Sequence, residues 1–157
     1  MVEKLKMIWQ DAKQLKDERG LTLVELLVVV VILGIIAAIA VVAIGGIIEN
    51  SKKDAMVADA KQMVSAAKLY VASNDVADGK VIRFVGTVGT DELDAKNMID
   101  TMKDPFGETY NNGVVYVSKA DSKYTYKVWL DGAEDIGTAA TAAGTIASGD
   151  LDKEDVK

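Results

Sequence analysis

Glu25 is the residue whose type and position carry the clearest chemical signal in this chain of 157 residues. It stands directly before a run, residues 26–48, that contains no charged or strongly polar side chain. An ionised carboxylate at the edge of a hydrocarbon layer is costly unless it is paired or hydrated. Leucine would serve a plain membrane anchor better. Glu25 therefore indicates either a charged partner or, as the alternative, hydration among lipid headgroups.

The composition excludes most catalytic chemistry. The chain has no cysteine and no histidine, which removes disulfides, thiolate and imidazole metal sites, and nucleophiles that depend on either residue. Its formal net charge is −6, which is unfavourable for binding a phosphate backbone, and no specific nucleic-acid site is identified. Carboxylates remain, and these suit hard cations such as calcium. We predict that the chain is not an enzyme.

The charge-free run predicts a helix that spans a membrane. Residues 26–48 form a stretch of 23 residues. As a helix this stretch covers about 35 Å, enough for a bilayer core with some tilt. A soluble core helix is rarely so long and apolar on every side. The segment before it, residues 1–20, is charged and nearly balanced, with five basic and four acidic residues.

Apolar residues at helical spacing continue beyond the span, through residues 49–73. They fall in two parallel rows that together form one broad apolar stripe. The first row is Met56, Ala60, Met63, Ala67 and Tyr70, and the second is Val57, Val64 and Val71. Because no proline separates this segment from the span, we predict one helix from about Thr22 to Ser73.

The remaining residues predict a small α+β head. Residues 91–102 favour a short helix, and residues 114–118 and 123–130 favour antiparallel strands joined by a short polar loop. Residues 133–149 are rich in Ala, Gly and Thr and indicate an edge strand, a loop or a flexible tail. The last eight residues are mostly charged, and we expect them to be solvated.

The string from Arg19 to Leu27, R-G-L-T-L-V-E-L-L, resembles the class III leader junction of type IV pilins and their relatives. The resemblance continues through residues 34–40, G-I-I-A-A-I-A, and covers about the first third of the chain. It implies an α+β, type IV pilin-like fold: a long N-terminal helix, membrane-spanning in its first half, packed on a small antiparallel sheet. The implied organisation is a leader (1–20), the helix (21–75, with the span at 26–48) and the head with its flexible tail (76–157).

The resemblance also implies roles for three residues. Gly20 matches the last leader residue, so a membrane prepilin peptidase would cleave between Gly20 and Leu21. Leu21 matches the new N-terminus, which is N-methylated in the family and is usually phenylalanine there. Glu25 matches the acidic residue that the family needs for assembling subunits into a helical filament. We expect the α-amine of Leu21 in one subunit to meet Glu25 of a neighbour.

The sequence departs from the family pattern at several positions. The leader is long, and Asp17 and Glu18 lie close to the junction, where leaders of this class usually look more basic. Many relatives carry a proline in the apolar helix, where this chain has Val42. Gly45 and Gly46 follow and favour local helix flexibility, since glycine weakens a helix. The alternative is that these glycines allow close packing of helices.

Two segments of the head resemble parts of the major pseudopilins of type II secretion. Residues 103–110, K-D-P-F-G-E-T-Y, are similar to their Asp-Pro-aromatic-Gly segment, which some Gram-positive pilins also have. Residues 131–137 are similar to their acidic loop, which binds calcium; here Asp131, Glu134 and Asp135 would be the ligands. The alternative is a solvated acidic turn, with no cofactor.

The preferred interpretation is a type IV pilin, a structural subunit that polymerises with itself into an extracellular filament. Its expected partners are other copies, the prepilin peptidase, and the assembly platform with its ATPase. Its expected location is the bacterial cytoplasmic membrane, as a single-pass precursor with a cytoplasmic leader, and then the cell-surface filament. The alternatives are a pseudopilin of a type II secretion or competence system, or an ordinary signal-anchored protein whose head binds a ligand.

Overall fold

The computed structural model describes residues 1–13 and 22–157 of the chain. It contains one long helix, α1 (Val2–Ser73), followed by six strands and two short 3-10 helices. The chain divides into two compact units, Met1–Ile47 and Ile48–Lys157.

The first unit is helical and presents apolar side chains to its surroundings. Every residue from 26 to 47 is exposed except Ala40, which is half-buried. Within the described residues one helical stretch, Thr22–Ser73, is long and apolar enough to cross a membrane, and its most apolar part is not buried. Side chains of this kind require an apolar environment outside the chain itself.

The second unit has its own core, built on the apolar stripe of α1. The seven residues of the stripe that are buried are Met56, Val57, Ala60, Met63, Val64, Ala67 and Val71. They pack against the inner face of the sheet, whose fully buried members include Ile82, Val115, Val117 and Val128. The predicted helix and its seam are thus confirmed, with Tyr70 half-buried at the edge.

Six strands form the sheet: β1 (Lys80–Val85), β2 (Glu92–Asp94), β3 (Asn112–Ala120), β4 (Lys123–Asp131), β5 (Asp135–Ile136) and β6 (Ile146–Ala147). Their order is β2-β1-β3-β4-β5, and β6 also pairs with β4. The hairpin of β3 and β4 turns at Asp121 and Ser122, which both have positive φ. Positive φ at both central residues gives the turn the twist that flanking strands require.

The sheet is mixed, which corrects the expectation of a purely antiparallel one. β1 and β2 pair in parallel, while the other pairs are antiparallel. The predicted helix over residues 91–102 is also wrong: this region forms β2 and a 3-10 helix (Lys96–Met98). Both differences have one physical cause. Glu92 reaches across to Arg83 of β1, and that pairing holds the segment against the sheet.

The C-terminal segment is packed onto the sheet, which corrects the expectation of a flexible tail with solvated last residues. β5 and β6 both lie along β4, and Leu151 and Val156 are buried. The backbones of Asp135 and Lys157 exchange two hydrogen bonds, of 2.8 and 3.0 Å. A second 3-10 helix (Lys153–Asp155) is capped by Asp152. Apolar residues between the charged ones therefore hold this segment on the core, although its composition is typical of a flexible tail.

The Arg83–Glu92 pair is the main polar interaction of the buried sheet edge. Both nitrogens on one side of the Arg83 guanidinium donate to the Glu92 carboxylate, Nη2 to Oε1 at 2.6 Å. Arg83 is buried, and it also donates to the side chain of Asn112 at 3.0 Å. The hydrogen bonds from Arg83 lower the pKa of Glu92. The pair therefore stabilises the fold above the unfolded pKa of glutamate, and this stability is lost as the pH falls through the folded pKa.

We predict that Glu92→Gln lowers the free energy of unfolding by about 3 kcal/mol at neutral pH, because one half of a buried pair is left without its counter-charge. Urea unfolding of the detergent-solubilised protein measures this. Asp91→Asn is the matched control, since the Asp91 side chain is 97% exposed and its one ion pair among the described residues is with Lys80. Equal stability of parent and Glu92→Gln, with the same loss on acidification, would contradict the prediction.

Candidate functional site

Glu25 lies in the first unit among exposed apolar side chains. Leu23, Val24, Leu26 and Leu27 surround it in sequence and are all exposed. No described cation lies within ion-pair distance of the Glu25 carboxylate. The carboxylate is therefore available to a charge from outside the described part of this chain.

Two of the predicted site residues lie outside the described residues. These are Gly20 and Leu21, the expected cleavage and methylation positions.

The glycines of the apolar helix are open on the surface. A Cβ atom built at Gly34, Gly45 or Gly46 meets nothing within 4 Å in the described chain. The helix continues through all three positions. These sites therefore leave room for another helix to approach the backbone closely, and flexibility at Gly45 and Gly46 stays a prediction.

The acidic loop of the head holds its carboxylates in hydrogen bonds. Asp131 accepts from the side-chain amide of Asn112 at 2.7 Å, and Asp135 accepts from the backbone N–H of Gly132 at 3.3 Å. Burial raises the pKa of Asp135. Glu134 is half-exposed beside them. Among the described residues, no group of three acidic side chains is arranged to hold a metal ion.

Asp104 is the structurally important acid of this region, although its residue type and position did not predict a role for it. The residue is 4% exposed. One carboxylate oxygen accepts from the backbone N–H of Phe106 at 2.8 Å, and the other accepts from that of Ala133 at 2.6 Å. Asp104 thus joins the Asp-Pro-Phe-Gly segment to the acidic loop. The Asp-Pro pair was the available signal, since such acids bond to the backbone two residues ahead.

Tyr110 connects the same region to α1. Its hydroxyl donates to the Asp59 carboxylate at 2.8 Å. Burial raises the pKa of Asp59, and this hydrogen bond opposes the rise. Burial likewise raises the pKa of Tyr110, so the hydroxyl keeps its proton and stays a donor. Helix, segment and loop are therefore fixed to one another within the second unit.

We predict that Gly132→Ala destabilises the head by about 1–3 kcal/mol, because the new methyl group has no room. A Cβ at Gly132 would lie 2.5 Å from the Asp104 carboxylate and 3.0 Å from the Tyr110 ring. Thermal unfolding measures the change. Gly149→Ala is the matched control, since nothing lies within 4 Å of its Cβ position. A melting temperature that shifts equally in both variants would show that the contact is not tight.

Comparison with known proteins identifies one segment. Residues 15–41 match the prokaryotic N-terminal methylation motif, the class III signal peptide of type IV pilin-like proteins. The match includes Gly20, Leu21 and Glu25, and confirms the resemblance drawn from the junction. No curated protein and no solved structure matches the chain significantly.

The motif and the fold agree on the class of protein. A long helix packed on a small mixed sheet is consistent with a pilin-like α+β subunit. The motif indicates a pilin-like or pseudopilin precursor that prepilin peptidase processes, and a membrane-anchored one. Such proteins are structural rather than enzymatic.

Proposed function

We propose that this chain is a type IV pilin precursor. In this proposal it is cleaved after Gly20, N-methylated at Leu21, and polymerised into a helical filament on the cell surface. The observation that carries the proposal is the motif at residues 15–41, together with an apolar stretch, residues 26–47, that is exposed except at Ala40 and begins directly after Glu25. Exposed apolar surface of this extent first needs lipid and then, after extraction, other copies of the same helix.

Assembly is steered by charge in this proposal. Cleavage creates an α-amine at Leu21, and the next subunit in the filament brings its Glu25 carboxylate to that amine. Each charge alone is costly in an apolar fibre core, and the two offset each other only at one axial register. The pair therefore specifies how far one subunit is displaced from the next. Such a head-to-tail contact does not close on itself, as a filament requires.

The machinery and the helix glycines follow from the same proposal. The membrane-held precursor passes from prepilin peptidase to an assembly platform driven by an ATPase, which extracts it from the bilayer. Gly34 supports close packing of helices in the fibre core, and flexibility at Gly45 and Gly46 lets the fibre extend under load.

We predict that Glu25→Gln abolishes or strongly reduces filaments, because the Leu21 amine then enters the fibre core without a counter-charge. An unpaired buried charge costs about 3–5 kcal/mol, equivalent to a loss of roughly a hundredfold or more in assembly. The measurement is the amount of sheared fibre, by sedimentation and electron microscopy.

Glu49→Gln is the matched control for this test. Glu49 stands just beyond the other end of the apolar run and, within the described part of the chain, forms its one ion pair with Lys53, at 3.7 Å on the surface. Exposed pairs of this kind contribute little. Both variants should remain membrane-bound and be cleaved normally. Normal fibre yield from cleaved Glu25→Gln would contradict the proposal.

We predict that mass spectrometry of the protein from its native host finds a mature N-terminus at methylated Leu21. The prediction is supported by the motif match, which includes Gly20 and Leu21 just before the apolar run of residues 26–48. Gly20→Val should retain the leader, because the added side chain blocks the position that the peptidase reads as glycine. An intact Met1 end on the assembled or membrane-held protein would instead support the signal-anchored alternative.

A pseudopilin of a type II secretion or competence system is the second candidate. The observation that favours it is the contact of Asp104 with Ala133, which joins the two head segments that resemble pseudopilins. In this candidate Asp131, Glu134 and Asp135 rearrange to bind calcium. The head would then be stabilised by bound metal according to the ratio of calcium concentration to dissociation constant.

We predict that excess EDTA leaves the melting temperature of the head unchanged, because Asp131 and Asp135 already accept hydrogen bonds within the loop. Calorimetry with and without EDTA is the measurement, with magnesium as the control ion. If EDTA lowers the melting temperature, and calcium restores it while magnesium does not, the result would favour the pseudopilin.

A further inference from the structure

The first thirteen residues form an amphipathic surface that the pilin assignment does not use. At 100° per residue, Val2, Leu5, Ile8 and Trp9 fall on one side of α1. All four side chains are exposed. Val2, Leu5 and Trp9 line one continuous strip of surface with Lys6, Gln10 and Lys13. Met7 is the one large apolar side chain of residues 2–13 that points to the opposite side.

The charges around this strip are placed as at a lipid interface. Lys6 and Lys13 follow one boundary of the apolar face and Lys4 follows the other, while Glu3 and Asp11 lie on the polar side. The ammonium group of Lys13 stands 5.8 Å from the centre of the Trp9 ring. Long lysine side chains at the edge of an apolar face reach up to phosphate groups, and tryptophan prefers the headgroup level.

The position of this apolar face in the chain keeps it close to the membrane. Eight residues separate Lys13 from Thr22, where the stretch able to cross a membrane begins. Even fully extended they cover only about 30 Å. A chain anchored by residues 26–48 therefore keeps the strip within reach of the bilayer surface, whose cytoplasmic leaflet is anionic.

We propose that residues 2–13 lie flat on the anionic cytoplasmic membrane surface, with Leu5 and Trp9 at the level of the upper acyl chains and the lysines among the phosphates. On the membrane this arrangement requires the chain to change direction between Lys13 and Thr22, outside the described residues. The surface helix holds the Gly20–Leu21 junction beside the membrane, where a membrane peptidase works. This inference rests on the membrane-anchored precursor of the proposed function, and it is independent of polymerisation.

The test uses the uncleaved full chain, reconstituted in vesicles of equal parts phosphatidylcholine and phosphatidylglycerol. The chain has two tryptophans, so Trp129→Phe leaves Trp9 as the single reporter. We expect Trp9 emission shifted to shorter wavelength and quenched by phosphatidylcholine that is brominated near the headgroup. Replacing phosphatidylglycerol with phosphatidylcholine should weaken the quenching.

Two variants with equal starting exposure make the test specific. Leu5 and Met7 are both 61% exposed, but only Leu5 belongs to the apolar face. Leu5→Asp should abolish the shift and the quenching, and Met7→Asp should leave both. Resistance to alkaline extraction, measured on the same samples, reports the membrane span separately.

Three results would overturn the inference in a chain that resists extraction. The first is Trp9 emission as in water without quenching. The second is a shifted emission that brominated lipid does not quench, which would indicate contact with a second copy instead. The third is quenching that is indifferent to phosphatidylglycerol. Loss of the chain on alkaline extraction would contradict the membrane-anchored precursor itself, and with it the inference.

Discussion

A single carboxylate at the entrance to a 23-residue run without charge is the constraint on which the molecule's organisation depends. Glu25 is compatible with lipid only at its edge, and with a dry protein core only when paired. In the proposed function the same helix must satisfy both environments in turn, first the membrane and then the fibre. Cleavage after Gly20 would create a positive amine four residues before Glu25. In the membrane Glu25 would stay hydrated at the edge of the bilayer, and in the fibre the amine of a processed neighbour would neutralise it.

The C-terminal part of α1 forms one side of the hydrophobic core of the head. The buried stripe from Met56 to Val71 gives that part of the helix an apolar partner within its own unit. Residues 26–47 have none, and every one of them except Ala40 is exposed. The hydrophobic effect therefore divides one helix into a half that stabilises the subunit and a half that must be covered from outside. Arg83 with Glu92, and Asp104 with Ala133, fix the periphery of the head.

Much of this architecture could be predicted from local pattern. The stripe on α1, the span and the β3–β4 hairpin all have clear periodicity or turn signals, and the structure agrees with each. The junction around Gly20 and Glu25 was recognisable because its residue types are rare in that order. Periodicity has limits where tertiary contacts decide the conformation. Strand β1 was missed because K-V-I-R-F-V does not alternate: its buried residues, Ile82, Arg83 and Phe84, are consecutive.

The remaining errors have the same origin. Residues 91–102 have weak helical spacing, but the bond from Arg83 to Glu92 holds Glu92–Asp94 against the sheet as a strand. The C-terminal residues look like a solvated tail by charge, yet Leu151 and Val156 dock onto the core. Asp104 was overlooked because its role depends on Ala133, 29 residues further on. Such contacts between distant residues leave no local signal in a single sequence.

The most direct measurement of the central claim is the structure of the assembled fibre by electron cryomicroscopy at side-chain resolution. The account predicts that the nitrogen of Leu21 in one subunit lies within about 4 Å of the Glu25 carboxylate of a neighbour, at every interface along the fibre. A fibre in which Glu25 faces solvent, or in which the Leu21 nitrogen meets a different group, would contradict it.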